Sequence, residues 1–247
     1  MATYLIGVDL GSSNAKAALF DSEGRALADH SQDIRPHQPR PGVAEYDPPT
    51  LYKATLTAIR ELVQRTGINR SDVAGLALDG MISGTLGIDE KGEAVTPYTT
   101  TLDQRFSPYL NEAMRRCGDL IRLKNGTGHP TVGPKIMWIR SEMPEVYKRC
   151  YKFGIIGDYV LAKMAGLKGD EAFIDFTYLW ATGLSDLANY RWSEELCEAL
   201  DVPLEKLPRI VRPTDIIGKV SQEAAREAGL LEGTPLVAGA GDQMAGL

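Results

Sequence analysis

The stretch VAGLALDG, Val73 to Gly80, constrains the fold more than any other. It is a continuous apolar run closed by turn residues, which reads as a buried strand of the parallel kind. Such a strand needs paired neighbours and helices to cover it. The neighbours stand upstream, where strands are expected at Tyr4 to Asp9, Ala15 to Phe20 and Ala26 to Gln32. Tight turns join these three, the second being Asp21-Ser22-Glu23-Gly24, so they run antiparallel to one another. The segment DIRPHQPRPGVAEYDPP carries five prolines and reads as irregular surface chain. Asp47 then caps a helix with Pro48 and Pro49 in its first positions, and Leu51, Ala54, Ala58, Ile59 and Leu62 form its buried stripe. The order β-β-β-α-β predicts an α/β protein with a mixed sheet and helices packed on it.

Further on, GTLGIDEKGEAVTPY predicts a hairpin around Glu90-Lys91-Gly92. Helices are expected over Phe106 to Cys117, Lys135 to Glu142 and Asp158 to Ala165, with YKFGII a short strand before the last. IDFTYLWATGLSDLANYRW is aromatic-rich and has no clear period. Ser193 caps a helix reaching Leu200, and another runs from Ser221 to Ala228 with a Gly229 stop. A buried strand, Pro235 to Gly239, runs into a glycine turn, and the expectation is a fragment of a longer protein.

The 247 residues are 43% hydrophobic with net charge −6, which disfavours a nucleic-acid partner; MRRCG and YKRC are too short to form a basic patch. No apolar run approaches the ~18 residues of a membrane span, so no membrane partner is expected. Cys117, Cys150 and Cys197 lack metal or disulfide spacing, which fits a reducing, cytoplasmic setting.

The turn DLGSSNAK holds more chemistry than a hairpin requires. Backbone N–H groups of a Gly/Ser turn form a concavity that binds phosphate. Ser12 and Ser13 add hydroxyl donors and Lys16 a point charge. Asp9 would repel phosphate unless it faced Mg²⁺, which keeps most of its waters and binds through few carboxylates. The other reading is a glycine-cornered hairpin with solvated polar tips. In AGAGDQMAG, Asp242 stands at the C-terminal end of a strand, where α/β sheets place their sites. A helix N-cap is the competing reading of the same residue.

With these motifs in view, the chain resembles the FGGY carbohydrate kinases. GVDLGSSNAKAALFD is similar to their first phosphate motif, with Ser12 where threonine is usual. TGHPTVGPKIMWIRSEMPEVY is similar to their middle block, and GLLEGTPLVAGAGDQMAGL to the end of their first domain. The resemblance implies two actin-like, ribonuclease H-like domains with helices on both sheet faces, of which residues 1–247 are the first. It implies ATP and Mg²⁺ in the cleft, a small sugar substrate, and a C-terminal nucleotide-binding domain outside this chain. A homodimer is among the assemblies allowed. Carried over residue by residue, Asp242 matches the general base and Asp9 the acid that positions Mg²⁺ through water. Gly11, Ser12, Ser13 and Lys16 match the γ-phosphate loop, and Gln243 the amide beside the base. Residues 1–247 alone are expected to lack kinase turnover.

The substrate-reading segment departs from the family. Where xylulokinases are similar to Gly-Gln-Met-His-Gly, this chain has Met81, Ile82 and Ser83. The Arg-Glu pair of glycerol kinases is also absent, which disfavours glycerol. Core packing is the alternative for Met81 and Ile82. In TTTLDQR, Asp103 and Arg105 match the family and Thr101 replaces its tryptophan, with Trp180 the expected compensation. The alternatives are a surface Asp103–Arg105 pair and a core Trp180. His30 and His37 read as solvated, and His129 as structural. The function expected is phosphorylation of a primary hydroxyl on a ketose, polyol or sugar acid, xylulose-like before others. Its rivals are an actin-like ATPase and a non-catalytic sugar-binding protein.

Overall fold

The computed structural model describes residues 3–246. Strands β1 (Tyr4–Leu10), β2 (Asn14–Asp21) and β3 (Ala26–Asp33) form the expected antiparallel meander, with Asp9 opposite Lys16 and Lys16 opposite Ser31. After the two-residue strand β4 (Glu45–Tyr46) comes helix α1 (Pro48–Thr66). Its start is set by Asp47, whose Oδ2 accepts from the Thr50 N–H at 3.1 Å, and its end by Gly67 at φ 63°. Strand β5 (Val73–Gly80) lies parallel to β1, with Asp79 opposite Asp9.

The next elements are β6 (Leu86–Ile88), β7 (Tyr98–Thr99), α2 (Ser107–Asn125), α3 (Val132–Glu142), α4 (Pro144–Arg149), β8 (Lys152–Gly154) and α5 (Ile156–Ala165). One local expectation holds here and two change. The hairpin around Glu90 forms, with Ile88 bridged antiparallel to Ala94 and closed by Asp89 N–H to Glu93 O at 2.9 Å and Val95 N–H to Gly87 O at 2.8 Å, and β6 also pairs with β8. The proline-rich segment is not wholly irregular, because β4 pairs with β7. Helix α2 passes the predicted end at Cys117, kinking there (φ −147°, ψ 29°) and continuing to Asn125.

The aromatic-rich stretch resolves into β9 (Phe173–Asp175), a 3₁₀ turn (Phe176–Ala181), β10 (Ser185–Asp186) and β11 (Arg191–Trp192). Then follow α6 (Glu194–Ala199), β12 (Arg209–Val211), β13 (Ile216–Lys219), α7 (Gln222–Ala228), β14 (Pro235–Gly241) and the short α8 (Asp242–Ala245). The main sheet has the order β13-β14-β5-β1-β2-β3, with β14, β5 and β1 mutually parallel.

Alternation along the strands decides what each face meets. Val8, Ala17, Leu78 and Leu236 point to one face and are buried under α1, α5 and α7. Leu51, Ile59 and Leu62 of α1 are at most 1% exposed, each worth roughly 1.5–3 kcal/mol of burial. On the other face α8 begins, its Ala245 bordering the same hollow as Gly7, Lys16 and Phe20. A second core, built from α2, α3, α6 and the 3₁₀ turn, sits beside the sheet. Among the described residues no helix is long and apolar enough to cross a membrane.

Candidate active site

The C-terminal ends of the three parallel strands converge, and each brings a carboxylate. Asp9 and Asp79 are the penultimate residues of β1 and β5, and Asp242 follows β14. Asp9 is exposed, while Asp79 and Asp242 are partly buried. Burial pushes Asp79 up to about 7, and the charges of Asp9 and Asp242 push the same way. Asp242 is raised above the ordinary carboxylate range by burial and by Asp9, against the Gln243 N–H that donates to its Oδ1 at 2.7 Å. Gly241, not Asp242, is the N-cap of α8, which leaves the Asp242 side chain out of the capping role.

Asp79 was not singled out by sequence. Its signal was there: an acid as the penultimate residue of an otherwise apolar buried strand. Asp9, Lys16 and Asp79 line a hollow of about 380 Å³ on the sheet face where α8 begins.

The turn between β1 and β2 is well held. The Gly11 N–H donates to Asn14 O at 3.1 Å and so closes the turn, leaving exposed Ser12 and Ser13 at its tip. The Tyr46 hydroxyl donates to Ser12 O at 2.5 Å, and Ile34 N–H to Ser13 O at 2.9 Å. Lys16 pairs with Asp29 at 3.3 Å; both side chains are about half exposed, so the pair is weak and Lys16 can leave it for a stronger anion.

The segment Met81–Ser83 after β5 is tied from beneath. Met81 belongs to the main core, so the core alternative holds for its side chain: the Tyr98 hydroxyl donates to Met81 O at 2.9 Å. Ile82 is partly buried and reaches the Asp242 turn, since a Cβ on Gly241 would come within 2.7 Å of its Cγ2. Ser83 is buried at φ 67°, a conformation that costs a serine free energy and persists only when its surroundings impose it. Lys135 does so. It is fully buried, and its ammonium donates to Ser83 O (2.9 Å), Thr99 O (3.0 Å) and Thr100 O (2.7 Å). Its Nζ also lies 4.9 Å from the Phe106 ring centroid.

Asp103 and Arg105 are not a surface pair. Asp103 is 1% exposed; it accepts from the Ala44 N–H at 3.1 Å and from Arg105 Nη2 at 2.5 Å. Arg105 also reaches Glu45 at 2.6 Å and lies 4.6 Å from the Trp138 ring centroid. Their bonds face inward and fasten the loop before α2 to β4. Trp180 is partly exposed, and its buried indole N–H has no partner among the described residues. Gln243 is exposed.

Magnesium fits this donor set in one manner. After burial, the charge of Asp9 helps raise both Asp79 and Asp242, and Lys16 is the one cation among the residues lining the hollow. Among the described residues no three such side chains stand close enough to cage an ion. A hydrated ion held at Asp9 through its waters meets both facts.

The sequence profile described as "FGGY family of carbohydrate kinases, N-terminal domain" matches residues 4–247. The chain is 27% identical over 245 residues to a xylulose kinase of Bacillus subtilis (strain 168), covering 98% of this chain and 48% of that protein. It is 28% identical over 252 residues to a glycerol kinase of Symbiobacterium thermophilum, covering 99% of this chain and 49% of that one. In structure it is similar to a gluconate kinase from Lactobacillus acidophilus, with TM-score 0.89 and 27% identity over 98% of this chain and 48% of that chain. The chain spans about half the length of the curated relatives it matches.

Proposed function

The chain belongs to the FGGY family of carbohydrate kinases, as a match to its N-terminal domain, and from that premise we propose that it holds the sugar and the γ-phosphate in an ATP-dependent phosphoryl transfer. The observation that carries this reading is the convergence of Asp9, Asp79 and Asp242 at one sheet end, next to the Ser12–Lys16 turn. Asp242 accepts the proton of the sugar's primary hydroxyl. The N–H and hydroxyl groups of Ser12 and Ser13 orient the γ-phosphate, and Lys16 exchanges Asp29 for it. Asp9, with Asp79 beside it, would hold Mg²⁺, which when bound neutralises the charge of the transferring group. An actin-like ATPase is disfavoured because the match runs through the middle and final blocks, not only the phosphate turn.

The substrate class rests on the segment after β5. Relatives named for xylulose, glycerol and gluconate stand at similar identity, so overall likeness does not select among them. Ile82 and Ser83 offer no cation and no long donor, which suits an uncharged ketose or polyol better than an acid. A panel of pentuloses, hexuloses, polyols and aldonic acids, offered with ATP and Mg²⁺ to the intact protein, tests this. Turnover on the uncharged sugars, xylulose foremost, is expected; no turnover on any member removes the kinase reading. Ile82→Met with Ser83→His is expected to reorder the ranking by at least tenfold between two sugars. Met81 is left alone in this variant because its side chain is core. An unchanged ranking would assign the segment to packing.

A further inference from the structure

The peptide unit between Ala240 and Gly241, the second before Asp242, is gripped at both ends by two adjacent residues of the 3₁₀ turn. The Gly241 N–H donates to Thr177 Oγ1 at 2.8 Å. The Tyr178 hydroxyl donates to Ala240 O at 3.1 Å and also reaches Gly80 O at 3.3 Å. We infer that Thr177, oriented by Asp175, is a positioning residue that aims the Asp242 carboxylate by fixing this peptide plane. The inference rests on the reading of Asp242 as the base.

Three observations support it. First, the Thr177 hydroxyl has no choice of role. Its hydrogen goes to Asp175 Oδ1 at 2.5 Å, and the Thr177 N–H goes to the same oxygen at 2.8 Å. A carboxylate only accepts, so the hydroxyl must donate to it and turn a lone pair toward Gly241. Second, Asp175 is completely buried, and its Oδ2 has no partner among the described residues. Burying such a group is costly unless it is hydrogen-bonded, and the compensation given to Asp175 is the pair of Thr177 donors on Oδ1. Third, β14 needs an outside hold at this point. Gly239 sits at φ +80°, where a Cβ would lie 1.9 Å from Leu78 O, and the register against β5 shifts between Val237 and Ala240. A bulge re-aims the residues that follow it. Gly241 itself has no side chain with which to fix its torsions, and a Cβ there would meet both Ile82 and the Tyr178 ring.

Thr177→Val keeps the shape and removes the acceptor. In the intact protein, with the panel sugar turned over fastest, it is expected to lower kcat ten- to a hundredfold while KM for sugar and for ATP stays within twofold. Misplacement by about 1 Å can cost a hundredfold. Thr177→Ser should stay within threefold of the parent, and Asp175→Asn, which keeps Oδ1 as acceptor, should do the same. In an Asp242→Asn background, Thr177→Val should change the residual rate less than twofold, because the group it aims is gone. Should the valine variant not fold, Thr177→Ala against Thr177→Ser reads the same contrast. A kcat within threefold of the parent for the variant without the hydroxyl overturns the inference. So does a loss that recurs in full on the Asp242→Asn background, which would mark Thr177 as structural. Full activity of Asp242→Asn by itself overturns the base assignment first, and the positioning role with it.

Discussion

Asp242→Asn is expected to lower turnover of the intact protein at least a hundredfold while leaving sugar binding within a few-fold of the parent. General-base contributions are typically ~10²–10⁴ in rate. The amide has nearly the shape of the carboxylate but cannot take a proton. The Gln243 N–H occupies Oδ1, so the other oxygen of Asp242 is the one left for a hydroxyl. Burial and Asp9 raise the affinity of Asp242 for a proton, which suits a group that must accept one. Steady-state kcat with calorimetric sugar binding separates the two effects. Turnover within a few-fold of the parent removes Asp242 from the role.

Lys135→Met should cost both stability and sugar affinity. Methionine replaces the lysine stem but leaves the carbonyls of Ser83, Thr99 and Thr100 without their donor in a fully buried place. A buried unpaired polar group costs about 1–3 kcal/mol, so several kcal/mol is the expected total. At about 2–4 °C per kcal/mol, the melting midpoint should fall by roughly ten degrees or more. Relaxation of Ser83 from φ 67° returns part of this and moves the substrate segment, so sugar KM should rise at least tenfold. Burial pulls the Lys135 pKa down to about 7, and Asp103 opposes the pull. The protonated form is the one that matches three acceptors with three N–H donors. A midpoint within two degrees of the parent and an unchanged KM would show that the three carbonyls find other partners.

The sheet was legible because its signals are local. The apolar run of β5, the meander turns, the Asp47 cap and the α1 stripe each depend on residues near one another, and the structure places these elements with shifts of one or two residues. Asp9 and Asp242 stood out because an acid beside glycines at a strand end needs no tertiary information to look unusual. Lys135 entered only as part of the middle block that resembles the family, with no role attached, and Thr177, Asp175 and Tyr178 did not stand out, since each reads as an ordinary turn or aromatic residue in its own neighbourhood. Their partners lie 35 to 98 residues away in sequence for Lys135 and Tyr178, and 64 for Thr177. The same distance explains why β6 gains β8 in addition to its hairpin, and why β4 pairs with β7 where the local pattern pointed to irregular chain. A buried carbonyl or ammonium takes whichever partner the packed fold brings to it, because leaving it unpaired costs more than any local preference supplies. Sequence alone therefore determined the strand ends from which the acids rise, and tertiary packing decided which buried donors and acceptors hold those ends in place.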